Sequence, residues 1–310
     1  MDENFLVLAL LEQRKIKEYT LNQLVYGSVE IRGKDGNKYI YTHTRENGIH
    51  LTKYVGVHSD TLYKMIVENN DTAKILKKEI RVIDRKIKNL GYVDDELPKD
   101  VAINIDYAKK YLAKTIYQQA LLEGVSTTFL QTENIIKGGI INKMSTEDVM
   151  VIINLKHSWD FILNKNIILS PTSFSILCSI NRQVEDGFVY SAGMIRSTPV
   201  SIGGTEWKPP LPIESTIKSD LDEIINSRKD EVDIAIKLLL YVVRSQMFLD
   251  GNKRTSVIFA NQYLISKGKG LIVIPEKKIE IYKSMLIDFY ETNNDKEITN
   301  FLKTECYTKI

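Results

Sequence analysis

The residues best suited to chemistry form the run QMFLDGNKRT, residues 246–255, between two apolar segments. A tight turn that opens a helix directs several backbone N–H groups at one point, and the helix dipole adds positive potential there. Lys253 and Arg254 would strengthen such a site for phosphate, and Asp250 is placed to hold a divalent cation. A helix–turn–helix with a C-capping Gly251 and a solvated Lys-Arg pair explains the same spacing, so both interpretations stay open.

The run also resembles the core motif of the Fic/Doc family, whose fuller pattern is His-x-Phe-x-Asp/Glu-Gly-Asn-x-Arg-x-x-Arg. Three further stretches are similar to that family. Residues 120–128 resemble its inhibitory segment, 192–210 the flap before the motif, and 283–306 many of its C-termini. The resemblance covers residues 105–306 and implies a Fic-fold helical domain.

Members of this family typically transfer AMP from ATP to a hydroxyl of a target protein. The resemblance therefore implies ATP, or another nucleotide, with Mg²⁺ as the cofactor and a target-protein segment as the partner. It places Gln246 and Asp250 in the catalytic set, with Asp250 as the metal ligand. The nucleotide-binding set would be Phe248, Gly251, Asn252, Lys253 and Arg254. The flap residues that hold the target by strand addition would be Ser197, Thr198, Val200, Ile202 and Gly203.

The sequence departs from the family pattern at three positions. Gln246 stands where the family has the histidine that acts as general base, and an amide has no acid–base range near neutral pH. Val257 replaces the last arginine of the motif, and Gln119 replaces the Ser/Thr that opens the inhibitory segment. Glu123 and Gly124 of that segment remain as the regulatory pair. Glu123 either meets Arg254 or Lys253, or is a helix-end carboxylate without a regulatory role.

Two functions follow from these residues. The first is a protein adenylyltransferase that is weakened or altered by Gln246. The second is a non-catalytic, regulatory module that binds a nucleotide or phosphate and a peptide. A nucleic-acid-binding regulator within residues 1–90 is a third hypothesis.

Composition limits the classes of partner that the chain is expected to bind. The chain has 310 residues, 43% of them hydrophobic and 26% charged, which is typical of a globular protein rather than a disordered or disulfide-stapled one. The 42 Lys and Arg face 40 Asp and Glu, so the balance of charge makes nucleic acid an unlikely partner. No signal peptide and no membrane-length apolar run is evident, and we therefore expect a cytoplasmic protein without a membrane partner.

The polar stretch 91–99 divides the chain into two parts, each with its own predicted elements. Residues 1–98 are predicted to form an α+β extension, made of a small antiparallel meander and a long helix. Residues 99–310 are predicted to form the Fic domain. Turn residues at 33–37 and 46–48 separate strands at 28–32, 38–45 and 49–55. The meander's histidines, His43, His50 and His58, lack a carboxylate or cysteine cluster, so we expect no metal site there.

Residues 59–90 are predicted to form a helix with an apolar stripe that Asn69 interrupts. The stripe would pack on the protein itself, or alternatively form the seam of a homodimer. Its many lysines and arginines indicate a solvated face. From 101 onward the pattern is mainly helical, with a β-hairpin or irregular flap between 184 and 212. Helices are predicted near 104–123, 131–138, 145–165, 171–183, 214–228, 232–249, 252–267, 276–291 and 295–305.

Overall fold

A computed structural model describes residues 3–34, 37–46, 49–90, 97–139 and 144–310. The chain forms two compact units, Met1–Asp94 and Asp95–Ile310. The predicted division at 98/99 coincides with the start of a helix at Lys99. Much of the predicted linker, 91–96, lies outside the described residues, as do 35–36 and 47–48 of the predicted turns.

The first unit contains two helices and a three-stranded antiparallel sheet of order β1-β2-β3. Helix α1 spans Glu3–Gln23, and the strands are β1 Ser28–Lys34, β2 Asn37–Glu46 and β3 Ile49–Val57. Helix α2 spans Asp60–Asn89.

Alternation along β2 divides the sheet into two faces. Ile40 and Thr42 are buried, whereas Tyr39, Tyr41 and His43 are only partly covered. This period of two is what a half-buried strand requires.

Helix α2 packs on α1 through the predicted apolar stripe. The side chain of Ser59 caps its first turn by accepting a hydrogen bond from the Leu62 N–H at 3.1 Å. Two ion pairs join the two helices, Lys17–Glu79 at 2.8 Å and Arg14–Asp84 at 3.2 Å. The buried stripe residues are Ile66, Ala73, Ile83 and Ile87.

The second unit is mainly helical, which confirms the predicted fold class. A two-stranded antiparallel sheet, β4–β5, accompanies the helices. In chain order the elements are α3 Lys99–Lys110, α4 Leu112–Leu122, α5 Phe129–Ile136, α6 Thr146–Ile162, α7 Lys165–Leu169, α8 Phe174–Val184, α9 Glu214–Ile225, α10 Glu231–Ser245, α11 Asn252–Ser266, β4 Leu271–Ile272, a 3₁₀ turn Glu276–Lys278, α12 Ile279–Thr292, α13 Lys296–Phe301, a π-helical turn Leu302–Cys306 and β5 Tyr307–Thr308.

Helix α11 lies at the centre of the second unit. It contacts α3, α6, α7, α8, α10 and β4, and nearly all of its residues are buried. A helix that is enclosed on every side needs partners for its polar residues. Asn261 meets this need because its amide donates to the Ile272 carbonyl at 2.7 Å and its oxygen accepts from the Ile272 N–H at 2.9 Å.

The segment between α8 and α9 corrects the prediction of a β-hairpin flap. All of its residues, 185–213, are described, and none of them forms a strand. Pro199, Pro209 and Pro210 cannot donate ladder hydrogen bonds. Gly193 and Gly204 have φ of 77° and 84°, outside the extended region of a strand. The flap is therefore irregular chain.

No helix within the described residues is both long enough and apolar enough to cross a membrane.

One buried amide ties α4 and α6 to the central helix. Gln119 accepts a hydrogen bond from Trp159 Nε1 at 3.0 Å and donates from Nε2 to the carbonyl of Arg254 at 2.9 Å. Both Gln119 and Trp159 are buried. This contact gives a structural role to the glutamine that departs from the family pattern.

We expect Gln119→Ala to lower the free energy of unfolding of the second unit by about 2–4 kcal/mol, because the Trp159 N–H would lose its partner inside the core. Both tryptophans of the chain, Trp159 and Trp207, lie in this unit, so urea unfolding followed by tryptophan fluorescence reports on it alone. Gln118→Ala, one position earlier on the same helix, is the matched control and should cost less than about 1 kcal/mol. Equal costs for the two variants would contradict the role given to Gln119.

Candidate functional site

The turn between α10 and α11 reverses the chain within six residues, 246–251. Two of them adopt left-handed backbone conformations, Gln246 with φ of 45° and Gly251 with φ of 74°. Glycine is suited to this region, whereas a left-handed glutamine costs about 1–2 kcal/mol. The surrounding structure must therefore hold Gln246 in place.

Asn252 supplies most of that hold. Its oxygen accepts from the Phe248 N–H at 3.0 Å, and its amide donates to the Phe248 carbonyl at 2.9 Å. The same amide lies 3.2 Å from Gln246 Oε1. Phe248 is 1% exposed, and its ring lies in the core. Phe248 and Asn252, which the family resemblance assigns to nucleotide binding, therefore fix the conformation of the turn.

A second buried asparagine, Asn181 of α8, also holds the turn through hydrogen bonds. Its amide donates to the Asp250 carbonyl at 3.0 Å and to Thr255 Oγ at 3.1 Å. Its oxygen accepts from the Gly193 N–H at 2.8 Å, which links the turn to the start of the flap. Sequence reasoning missed Asn181, because nothing in the spacing of a lone asparagine on an apolar helix indicates a partner 69 residues away.

Both the amide nitrogen and the oxygen of the Gln246 side chain are hydrogen-bonded. Its amide donates to the Val243 carbonyl at 2.7 Å, its oxygen accepts from Asn252, and Tyr290 of α12 also hydrogen-bonds to it. Burial raises the pKa of the Tyr290 hydroxyl far above its ordinary value, so Tyr290 is neutral. The position that the family resemblance gives to a base is thus occupied by an amide in a fixed orientation.

Arg254 is the electrostatic centre of the site. Its guanidinium is 8% exposed and faces three carboxylates. Nη2 lies 2.7 Å from Glu185 Oε1 and 3.8 Å from Asp250 Oδ1, and Nε lies 3.5 Å from Glu123 Oε2. Glu123 also lies 3.8 Å from the Lys253 ammonium. The predicted contact of Glu123 with Lys253 and Arg254 is thus present as loose ion pairs.

Gly124 shapes the end of α4 beside this cluster. Its φ of 84° and its N–H bond to the Leu121 carbonyl at 3.0 Å are those of a helix C-terminal glycine. This geometry leaves Glu123 at the C-cap, directly after Leu122, with its carboxylate near Lys253 and Arg254.

Glu185 is a further site residue that sequence reasoning missed. It follows α8 in a stretch that the sequence assigned to the flap, and it is 1% exposed. Burial raises the pKa of its carboxyl to about 7, while Arg254 opposes the shift and Asp250 and Glu123 add to it. Buried carboxylates with such values are common at functional sites.

A pocket of about 400 Å³ opens over the turn. The turn forms its floor, α12 forms one wall, and the flap residues 201–203 form another. Eight of the predicted site residues line it, namely Glu123, Ile202, Gly203, Gln246, Asp250, Gly251, Asn252 and Lys253. The predicted residues that do not line it are Gly124, Ser197, Thr198, Val200, Phe248 and Arg254. The wall of α12, with Lys283, Leu286, Ile287 and Tyr290, was not predicted.

The flap is anchored beside the pocket by Arg196. Its guanidinium donates to the carbonyls of Gln246 at 2.5 Å, Thr198 at 2.8 Å and Pro210 at 2.7 Å. Further along, the ring of Trp207 stacks parallel to Tyr290 with centroids 5.9 Å apart. The flap therefore keeps a fixed course without strand pairing.

The residues present suit a phosphate with a bound cation. Asp250 is the exposed carboxylate of the turn, with 69% of its side chain open to solvent, and Mg²⁺ commonly binds one carboxylate together with phosphate oxygens. Lys253 and the amides at the start of α11 face the same pocket. Val257 is buried and lies away from the pocket, so it supplies no further phosphate contact.

Comparison with known proteins agrees with this geometry. Residues 171–264, which contain α8, the flap, α10 and most of α11, match the model of the Fic/DOC family. These residues form a Fic domain. A search of curated proteins found no match to the chain.

Solved structures share the fold of the Fic domain. Fic-1 (residues 134–508) from Caenorhabditis elegans superposes with a TM-score of 0.54 at 18% identity, over 78% of this chain and 80% of that one. A Fic domain containing signaling protein from Bacteroides thetaiotaomicron gives 0.52 at 21% identity, over 62% and 76%. A Fic family protein from Desulfovibrio desulfuricans gives 0.51 at 14% identity, over 68% and 73%.

A substitution at Gly251 tests whether the turn has the backbone geometry described. A Cβ at this position would lie 2.3 Å from Glu185 Oε1, and the left-handed φ disfavours any side chain. We expect Gly251→Ala to lower the free energy of unfolding by at least about 2 kcal/mol. In Gly203→Ala, the control, the new Cβ meets nothing within 4 Å, so urea unfolding should be unchanged. A neutral Gly251→Ala would show that the turn is not constrained as described.

Glu185 predicts a dependence of stability on pH. Its folded pKa of about 7 lies above the ordinary value of 4.5, so between these values the native state holds a proton that the unfolded state has lost. The stability of the Fic domain should therefore fall as the pH rises from about 4.5 to about 7. Relative to Glu185→Gln, which cannot titrate, the wild-type chain should lose about 1–3 kcal/mol over this range. Exposed Glu223→Gln is the control, and parallel pH profiles of the wild type and Glu185→Gln would refute the shift.

Proposed function

We propose that the second unit binds ATP or another nucleotide with Mg²⁺ and transfers AMP to a hydroxyl of a target protein, at a rate strongly reduced by Gln246. The observation that supports this most directly is the convergence of Asp250, Lys253 and the start of α11 on one pocket of about 400 Å³. The presence of a Fic domain at residues 171–264 supports the reaction class.

The phosphates would lie at the N-terminus of α11, where Gly251 and Asn252 bring the backbone close and Lys253 adds charge. Asp250 would hold Mg²⁺, which neutralises phosphate charge when bound. Arg254 would reach the phosphates after exchanging its 3.5 Å contact with Glu123 for a phosphate oxygen. Phe248 would keep its structural place beneath the turn.

In the reaction the target hydroxyl oxygen forms a bond to the α-phosphorus, and the bond from that phosphorus to pyrophosphate breaks. The hydroxyl proton must leave, and the Gln246 amide cannot accept it. The proton would pass to a phosphate oxygen or to water instead. The loss of a positioned base typically lowers the rate by about 10²–10⁴-fold.

The target segment would lie along the flap, where Ile202 and Gly203 line the pocket beside the turn. The backbone groups at 200–203, which follow Pro199 and form no strand pairs within the flap, would pair with an added extended segment. Glu123 would regulate the site by competing with phosphate for Arg254 and Lys253. A cytoplasmic location, where ATP and Mg²⁺ are supplied, fits this proposal.

The second candidate function is a non-catalytic module that binds a nucleotide and a protein segment in a regulatory role. The observation that favours it is the fixed amide of Gln246, which hydrogen-bonds to Val243, Asn252 and Tyr290. An amide with every partner inside the protein has a packing role that is independent of a reacting hydroxyl.

Restoring the base separates the two candidates. The full chain is incubated with Mg²⁺, α-labelled or γ-labelled ATP and a cell lysate. We expect weak incorporation of the α label and a rise of at least about 10²-fold in Gln246→His, because histidine accepts the hydroxyl proton. Gln246→Ala is the control for removing the glutamine alone and should show no rise. Asp250→Asn in the Gln246→His background should abolish transfer.

Calorimetry with ATP, ADP and AMP provides the binding readout. Micromolar affinity without transfer by either the wild type or Gln246→His would leave the binding module as the function. Incorporation of the γ label alone would replace AMP transfer by phosphoryl transfer. The absence of both transfer and binding tighter than millimolar would sink both candidates.

A further inference from the structure

A second pocket lies within the first unit, far in sequence from the Fic motif. It has a volume of about 430 Å³ and forms where the start of β1 and the end of β2 meet helix α2. Its lining includes Lys74 and Lys77 of α2, together with His43 and Arg45 at the end of β2. Ser28, whose hydroxyl donates to the His43 carbonyl at 3.4 Å, and Thr44 also line it. Neither aspartate nor glutamate is among its lining residues.

Asn70 of α2 lines this pocket, and its neighbour Asn69 helps to fix the same stretch of chain. Asn70 clamps Gly27 at both backbone groups, accepting from the N–H at 2.7 Å and donating to the carbonyl at 3.1 Å. Asn69 donates to the Val25 carbonyl at 3.0 Å. The interruption of the apolar stripe at Asn69 is thus explained, since the two amides fix the chain that enters β1.

Gly27 makes the clamp possible. Its φ is 133°, and a Cβ at this position would lie 2.6 Å from the His43 carbonyl oxygen. Only glycine allows this close approach of two backbones, so the wall formed by residues 26–28 stands at a fixed distance from β2.

The two lysines of the pocket have only weak partners of their own. Lys74 lies 3.2 Å from Asp71, but the two side chains are 78% and 73% exposed, and such exposed pairs contribute little. The Lys77 ammonium lies 4.6 Å from the centre of the Tyr26 ring. An anion that binds to these lysines would therefore displace little. His43 differs, because its Nε2 contacts Glu30 at 2.7 Å and its Nδ1 contacts the Thr52 hydroxyl at 2.9 Å, so both ring nitrogens already have partners.

We propose that this pocket binds a phosphate group. A phosphate carries up to two negative charges on three or four oxygens, and it can be contacted at once by several cations and hydroxyls that surround it. A single carboxylate would leave most of these donors unused. This inference is independent of the function proposed for the second unit.

The phosphate can belong to a free nucleotide or to a nucleic-acid strand. His43 stands in one row of β2 with Tyr39 and Tyr41, and Tyr54 of β3 lies beside both rings at 6.2 and 5.4 Å. Aromatic rings on an open sheet face stack unpaired bases. Residues 1–94 carry 16 Lys and Arg against 13 Asp and Glu. This small net charge does not show that several cations lie together at the pocket.

The test is calorimetry of the full chain at low salt with pyrophosphate, with ATP and with a short oligothymidylate. We expect at least one probe to bind, and Lys74→Gln/Lys77→Gln to weaken that binding at least about tenfold. Lys74→Arg/Lys77→Arg keeps both charges and should preserve binding. The matched control is Lys64→Gln/Lys88→Gln, which removes two exposed lysines of the same helix that do not line the pocket. It should change binding by less than about twofold.

The three probes identify the source of the phosphate. Tight binding of the oligothymidylate indicates a strand, and its dependence on log salt should become shallower by about 0.7 for each lysine removed from the pocket. Binding of pyrophosphate or ATP alone indicates a small molecule. Because neither lysine pair lies near the α10–α11 turn in sequence or belongs to its unit, nucleotide binding at the Fic site is common to all variants. The proposal is overturned if no probe binds more tightly than millimolar or if the pocket and control pairs bind equally.

Discussion

The geometry of the Fic site depends on the carboxamide of Asn252. By bonding to both backbone groups of Phe248, it closes a loop whose apolar ring is buried in the core. The buried ring fixes the depth of the loop, and the amide fixes its direction. Gln246 and Asp250 consequently project into the pocket from a rigid turn. The first N–H groups of α11 point at one position. Asn181 supports the same frame through the Asp250 carbonyl.

Arg254 distributes the charge of that frame between two unlike carboxylates. Glu185 lies 2.7 Å away and is buried beneath the turn, whereas Glu123 lies 3.5 Å away and lines the pocket. In the proposed function, a phosphate that enters the pocket would exchange with Glu123, while Glu185 would keep the guanidinium in position. The cost of burying Glu185 appears as its raised pKa of about 7, since the single close cation does not fully offset desolvation.

Periodicity and turn chemistry predicted most of the helices, the meander and the motif turn, because these features depend on neighbours in sequence. The site was predicted only where it is local. Glu185 and Asn181 lie in or next to α8, 69 residues or more before the motif residues they contact, and the α12 wall follows from packing that no spacing records. Of the two alternatives for the flap, the β-hairpin was wrong and the irregular chain was right, because its prolines and left-handed glycines do not form strand pairs within the flap. Gln119, a departure from the motif in sequence, proves to be the acceptor for Trp159.

The two units concentrate charge in different ways although the chain as a whole is nearly neutral. At the α10–α11 turn, carboxylates and cations form ion pairs, so in the proposed function a phosphate would gain Arg254 only by exchange with Glu123. In the pocket of the first unit, Lys74 and Lys77 are grouped without lining carboxylates, and a phosphate bound to them would displace only the exposed Lys74–Asp71 pair and the Lys77 contact with the Tyr26 ring. The first arrangement suits a regulated site and the second a constitutive one. With both proposed sites, the chain would respond to nucleotide at one unit while it stays bound to a phosphate-bearing partner at the other.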